Sequence, residues 1–403
     1  MRKILLAVLF ICFVTGLLIV SASLGGKKAP GTPSSGDQNK NSIYIGVYEP
    51  LSGDHALGGS AEALGIRYAN TLYPTVELAG VSYEIRLVEA DNATDAAAAA
   101  KTLTGAGVSA VLGSYGAQAT AAGLAEFSKS GIPLLGISCL SEDIAADGDA
   151  YFRMCGTDAL TGGALANLAG SMALKHAAVL TQVGDDYSKK AGRIFSEAFE
   201  KLGGETAEFS FQLGQENFRS LVQEIRESDA DFIIMLSGVF EADYFIRQSG
   251  EAGLRLPIMG PEAWDSALLL NNLSADYEDV YVTSSFDAGS SGDSVSAEFA
   301  SRFSDWLSRD KDRVDRNGGN AYTSPASAMA YDAYMLLLEA IGDAGSSKPA
   351  AIRTALQSIS YKGVTGRFAF GENSGALRKQ VFIKTINMAK KQFEVLQTSS
   401  IGG

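Results

Sequence analysis

From Ile43 onward, short apolar runs alternate with amphipathic stretches: IYIGVY, GGSAEALGIRYANTL, SYEIRLVEA, TDAAAAAKTLTGAG, VSAVLG, AQATAAGLAEFSKSG and IPLLGI. The short runs predict strands and the longer ones, apolar at helical spacing, predict helices. Strict alternation of the two implies right-handed crossovers and a parallel sheet. The pattern recurs from Ala177 to Met259 through AAVLT, a helix carrying Ile194, Phe195, Ala198, Phe199 and Leu202, the strand-like ETAEFSF, a second helix, FIIML, a third helix and LPIM. In the second of these helices Phe218, Leu221, Val222 and Ile225 form one apolar face.

Two units of one design therefore stand in tandem. Between them, YFRMCGTDALTGGALANLAG reads as a short strand, a crossing and a new helix, and YEDVYVTSSFD as a crossing back. A long helix SPASAMAYDAYMLLLEAIGDAG, a short one and the strands GRFAF, KQVFIKTI and QFEVL follow. The expected architecture is α/β and two-lobed, each lobe a parallel sheet flanked by helices. One lobe is built from 43–157 and 287–365, the other from 158–286 and 366–397. A chain that crosses several times between lobes makes a hinge, as a ligand-closing clamp requires.

The amino-terminal residues add a compartment. Arg2 and Lys3 precede an apolar run from Ile4 to Val20, and small residues suit cleavage after Ala22. Residues 1–22 are the layout of a secretory signal or, by the length of the run, an uncleaved membrane anchor. Both place the body outside the cytoplasm. Residues 23–42, rich in Gly, Ser, Pro and Lys, read as a flexible tether.

Composition narrows the function. The 403 residues are 46% hydrophobic and 20% charged, a globular balance, and the formal charge of −13 repels phosphate backbones, which argues against nucleic-acid binding. Cys12 lies in the leader, so Cys139 and Cys155 are the cysteines of the body. In an oxidising compartment they pair, with about 3 kcal/mol of stabilisation in the chain-entropy model, or they remain two buried thiols.

Catalytic signatures are missing: no GxxxxGK[ST] loop, GxSxG elbow or HExxH is present. Only His55 and His176 supply imidazole. His176, just before a strand, reads as structural, and His55 sits in a loop after the first strand with nothing to pair with it. Asp185 and Asp186 precede a helix, where an N-cap explains at least one. Tyr187 beside them is placed to reach a cleft. Glu262, in MGPEAWDS beyond a strand's carboxyl end, stands where ligands sit in open α/β sheets. Trp264 is either a pocket wall or a cover over the strand ends.

The order IGVYEPLSG, AVLGSYGAQAT, GIPLLGIS, YFRMCGTD, GDDYSKKAGRIFSEAFEKLGGE, ENFRSLVQEIRESDADFIIMLSG, IRQSGEAGL, PIMGPEAW and MAYDAYMLLLEAI resembles that of the branched-chain amino-acid-binding proteins. These are substrate-binding subunits of ABC importers with the type I periplasmic-binding fold. The resemblance covers nearly all of Ile43 to Leu396. It implies a ligand between two lobes, with a carboxylate on hydroxyls and backbone N–H groups of the first and an ammonium on a carboxylate of the second. Glu262 matches that second-lobe carboxylate and Tyr187 an aromatic lining the cleft. Tyr115, Gly116 and Ala117 place helix N-terminal N–H groups at the ligand's anionic end.

Departures from the family pattern fall at Ala117, where a serine is usual, and at Cys139 and Leu140, where an Ala-Thr pair is usual. Gly238 replaces a tyrosine of the second lobe, and Leu57 and Gly58 replace an aromatic-bearing loop. Ser138 or Ser141 substitutes for the missing hydroxyls if the register slips by a residue. The resemblance implies no cofactor, no metal and no covalent chemistry, but a small-molecule ligand, a membrane permease as partner, and a monomer. A ligand-sensing ectodomain on the same fold and an exported hydrolase are the rival expectations.

Overall fold

The computed structural model describes residues 41–139, 144, 150–272, 274, 279–288, 293–370 and 380–400. The leader, the tether up to residue 40, Leu140 and Ser141 lie outside the described residues. Among the described residues no helix is long and apolar enough to cross a membrane.

The first sheet joins β1 (Ser42–Glu49), β2 (Thr75–Leu78), β3 (Val81–Asp91), β4 (Ala110–Leu112), β5 (Leu134–Gly136) and β6 (Tyr151–Arg153) in the order β2-β3-β1-β4-β5-β6. All neighbours run parallel except the β2 edge. The period-2 rule explains its two faces. Ile43, Ile45 and Val47 point to one core with α1 (Ala56–Leu72), whereas Tyr44 and Tyr48 point to another with α2 (Ala96–Gly105) and α3 (Ala117–Phe127). The Tyr48 hydroxyl lies 2.8 Å from Ala96 O and 3.0 Å from Ala119 O, tying the starts of α2 and α3 to the sheet.

After β6 the chain enters α4 (Asp158–Ser171), capped by Thr157, and builds the second sheet. Its strands are β7 (His176–Gln182), β8 (Glu205–Phe211), β9 (Phe232–Leu236), β10 (Ile258–Gly260), β11 (Val280–Ser284), β14 (Gln380–Asn387) and β15 (Gln392–Ser400), ordered β15-β14-β11-β10-β9-β7-β8. The helices α5 (Asp186–Lys201), α6 (Arg219–Glu227) and α7 (Val239–Glu251) cover its faces, and α8 (Ala267–Asn272) follows β10. Phe218, Leu221, Val222 and Ile225 are all buried, as their spacing predicts.

Between β11 and β14 the chain returns to the first lobe through α9 (Ser294–Ser308), α10 (Lys311–Arg316), α11 (Pro325–Ala344), α12 (Pro349–Ser358) and a hairpin, β12 (Ser360–Gly363) and β13 (Gly366–Ala369). This hairpin moves one expected boundary. Residues 366–369 belong with the first lobe rather than the second, because β13 pairs with β12 and Phe368 is buried in the core of Ile43 and Leu356.

Asp332 on α11 staples the hairpin turn. It accepts from Val364 N at 2.8 Å, Thr365 N at 2.8 Å and Thr365 Oγ1 at 2.6 Å while fully buried. Removing a buried acceptor strands its donors at about 1–3 kcal/mol each. Asp332→Ala is expected to lower stability by about 3 kcal/mol, read as a reduced urea midpoint with an unchanged slope.

Candidate functional site

Parallel neighbours bring the carboxyl ends of β1 and β4 side by side, so Glu49 and the segment Ser114–Ala117 emerge together. Tyr115 N donates to Glu49 Oε2 at 2.9 Å, and the buried Ser114 hydroxyl accepts from Asn92 Nδ2 at 2.8 Å. Gly116 turns the chain at φ 98 into α3, whose first turn has no side-chain cap. Its free N–H groups, with Ala117 first, favour negative charge. The Tyr115 ring lies over Gly58 of α1, where a Cβ would come within 2.5 Å of it, and 6.3 Å from the His55 ring. Gly58 thus leaves the space that the Tyr115 ring fills.

Glu62, on α1, lies beneath this wall beside Glu49, and both are fully buried. Neither Glu62 oxygen receives an aligned hydrogen bond among the described residues, although the Glu49 carboxyl and the Ser138 hydroxyl lie against it. Burial and the neighbouring Glu62 push Glu49 well above the usual carboxylate range. Burial also raises Glu62, to about 7, against the opposing effect of hydrogen bonding from Glu49 and Ser138. Two adjacent carboxyls in an apolar setting share a proton in this way.

The second lobe contributes a 3₁₀ turn after β10, Glu262–Trp264. Glu262 is partly buried and its Oε2 accepts from the Ser285 backbone N–H at the crossing back to the first lobe. Asp265, next in sequence, accepts from Lys384 Nζ at 2.8 Å and from the Tyr322 hydroxyl at 2.5 Å. Tyr187 lies in the first turn of α5, held there by Asp185, whose carboxylate accepts from Tyr187 N and Ser188 N. Of the two candidates, Asp185 is the N-cap and Asp186 lies in the first turn.

The walls meet. Burial raises the Tyr115 hydroxyl, and the charges of Glu62 and Glu262 add to that effect. Tyr187 is raised by burial and then by Asp158, Tyr115, Asp185 and Glu262. Tyr115 and Glu62 of the first lobe thus lie within electrostatic reach of Tyr187 and Glu262 of the second. Two tyrosines and several carboxylates from both lobes thus act on one another.

Other expected contacts fall elsewhere. Trp264 is fully buried in the second-lobe core, stacked where a Gly260 Cβ would lie 2.4 Å from its ring, and its Nε1 donates to Ser237 O at 3.1 Å. It covers the strand ends and presents no surface to a ligand. Cys139 is buried at the end of β5. Cys139 and Cys155 are thiols rather than halves of a disulfide, and Cys155 Sγ donates to Cys139 O at 2.9 Å. Gly238 caps α7 at the end of β9, with Glu241 Oε2 3.1 Å from where its Cβ would be. Leu140 and Ser141 lie outside the described residues. His176 stands 3.7 Å from Glu205 and from Asp229, far from this space in the chain's order and structural in role.

Glu49, Glu62 and Asp158 escaped the reading of the sequence. Glu49 carried a signal, since it ends the first strand where ligands gather. Glu62 carried a weaker one, an acid interrupting the buried face of α1 between Ala61 and Ala63.

A sequence profile of periplasmic binding proteins matches residues 42–392. No curated protein matches. Among solved structures, the leucine binding protein LivK of Thermotoga maritima is 22% identical with a TM-score of 0.79, over 89% of this chain and 99% of that one. The branched-chain amino acid transporter substrate binding protein LivJ of Streptococcus pneumoniae, in complex with isoleucine, is 23% identical with a TM-score of 0.77, over 89% and 99%. A solute binding protein of an ABC transporter from Rhodopseudomonas palustris, in complex with 3,4-dihydroxybenzoic acid, is 17% identical with a TM-score of 0.78, over 90% and 99%. With the family profile spanning both lobes and the two-lobed α/β architecture matching these structures, the chain belongs to the periplasmic binding protein family.

Proposed function

We propose that this protein is the extracytoplasmic solute-binding component of an ABC importer, capturing an amino acid or a related small amine or amide between its lobes. Residues 43–157 with 287–369 act as one jaw, and 158–286 with the carboxyl-terminal strands as the other. The captured molecule is handed to a membrane permease by a monomeric binding protein. The observation that carries this reading is the pairing of Tyr115 and Glu62 with Tyr187 and Glu262 from opposite lobes. Glu262, held by Ser285 N, is the ammonium-binding carboxylate, and closure around ligand is a shift of population toward the closed state. The first turn of α3 at Gly116 and Ala117, with Ser138, offers donors to the polar end of the ligand. Catalysis is not part of this reading, because no nucleophile motif accompanies the carboxylates.

Calorimetric titration of the refolded, leaderless protein against amino acids, their amides and carboxylates lacking an amine tests it. Amine-bearing ligands are expected to bind, and Glu262→Gln to weaken them tenfold or more, about 1.4 kcal/mol. Binding confined to amine-free acids, such as the dihydroxybenzoic acid held by the Rhodopseudomonas protein, would keep the clamp and overturn the role of Glu262.

A further inference from the structure

Glu62 has no structural return for its burial. It is 0% exposed in the middle of a helix, no Lys or Arg pairs with it among the described residues, and both oxygens lack an aligned hydrogen bond. A buried carboxylate in that state costs free energy unless a partner compensates it. The groups facing it are Glu49 from β1, the Tyr115 ring, Ser138 after β5, and, across the cleft, Glu262. Tyr187 and Asp158 complete the second-lobe side. None is a cation.

We propose that Glu62 is the first-lobe partner of the ligand's cationic nitrogen, which bridges the carboxylates of Glu62 and Glu262 and thereby draws the lobes together. The inference rests on the amine reading of the preceding section and adds to it a second carboxylate from the opposite jaw. Like charges on the two jaws oppose closure when the cleft is empty, and one positive charge between them turns repulsion into attraction. Among the described residues no three His, Cys, Asp or Glu side chains converge closely enough to hold a metal ion. Glu49 accepts from Tyr115 N with one oxygen, and Glu62 is the member of the pair on which the charge of Glu262 acts.

The experiment titrates wild type, Glu62→Gln, Glu62→Asp and Glu262→Gln with L-leucine, L-leucinamide, L-phenylalanine, 3-methylbutylamine and benzoate. Each is measured at about pH 6 and about pH 8, on either side of the ordinary histidine range. Both Gln variants are expected to weaken amine binding at least tenfold, and Glu62→Asp to restore part of it. Wild type is expected to bind amines about tenfold more weakly at the lower pH, where Glu62 is protonated, and Glu62→Gln to lose that dependence. Benzoate is expected to bind Glu62→Gln no more weakly than wild type. If Glu62→Gln binds the amines as wild type does while Glu262→Gln does not, the bridge is wrong and Glu262 acts alone. If Glu62→Gln does not fold, a flat wild-type pH profile overturns the bridge by itself. If no amine binds wild type, the amine reading falls and the bridge falls with it.

Discussion

Lys384→Met is expected to cost about 3–5 kcal/mol of stability, the usual effect of removing one partner from a buried ion pair. Lys384 is 3% exposed on β14 and Asp265 2% exposed after the Glu262–Trp264 turn, with 2.8 Å between Nζ and Oδ2. Without the ammonium, Asp265 keeps, among the described residues, a single side-chain hydrogen bond, from the Tyr322 hydroxyl, and its charge is stranded in the core. Lys384→Met combined with Asp265→Asn is therefore expected to recover much of the loss, since Asn still accepts from Tyr322 but carries no charge. Urea unfolding of the two variants distinguishes this from simple loss of packing, in which the second substitution would add to the damage. Ligand affinity is expected to fall as well. Asp265 N closes the turn on Glu262 O at 2.9 Å, so a displaced Asp265 moves the carboxylate assigned to the ligand.

The ligand-free protein is expected to lose stability as pH rises from about 4.5 to about 7, by on the order of 3 kcal/mol. The ordinary value of Glu62 is 4.5 and burial lifts it to about 7 in the folded chain. The folded state therefore binds a proton that the unfolded state releases across this window, and stability falls as that proton is lost. It is full below 4.5 and gone above 7. Glu49 is also raised well above the usual range, by burial and then by Glu62. Glu394 is shifted the opposite way, to about 2, through its hydrogen bond from Lys390, but it acts only at more acid pH and sits in solvent. Thermal melts across the window check the sign, and Glu62→Gln is expected to flatten the curve. A wild-type protein that gains stability over the same window would show that Glu62 is ionised and compensated in the free state.

Much of the fold was legible because its signals are local. Alternating runs located the parallel strands, helical spacing located the face of Phe218 to Ile225, and Asp185 announced the start of α5. The β2 edge and the first arm of the β12–β13 hairpin were not legible. TVEL and SYKG are too short and too polar to stand out, and each becomes a strand only by pairing with a neighbour. At the site, Tyr115, Tyr187 and Glu262 were singled out by their places in the order of elements, and of the two readings of Trp264 the structure fits the cover over the strand ends. Trp264 lies beyond a strand end, but a large apolar ring finds more contact in the core than in a cleft, and the Cys139 carbonyl accepts from the Cys155 thiol.

The sequence by itself determined that two α/β units are joined by several crossings and that Glu262 stands beyond the carboxyl end of a strand, β10. Periodicity records which face of an element is buried, and strand ends record where ligands gather. Only the tertiary structure decided that Glu62 is buried without a cation, that Glu49 sits against it, and that Glu262 and Tyr187 approach from the opposite lobe. The charge state of a carboxylate depends on what lies within a few ångströms in space. Here those neighbours come from β1, the loop after β5 and the turn after β10, and no local pattern in α1 names them.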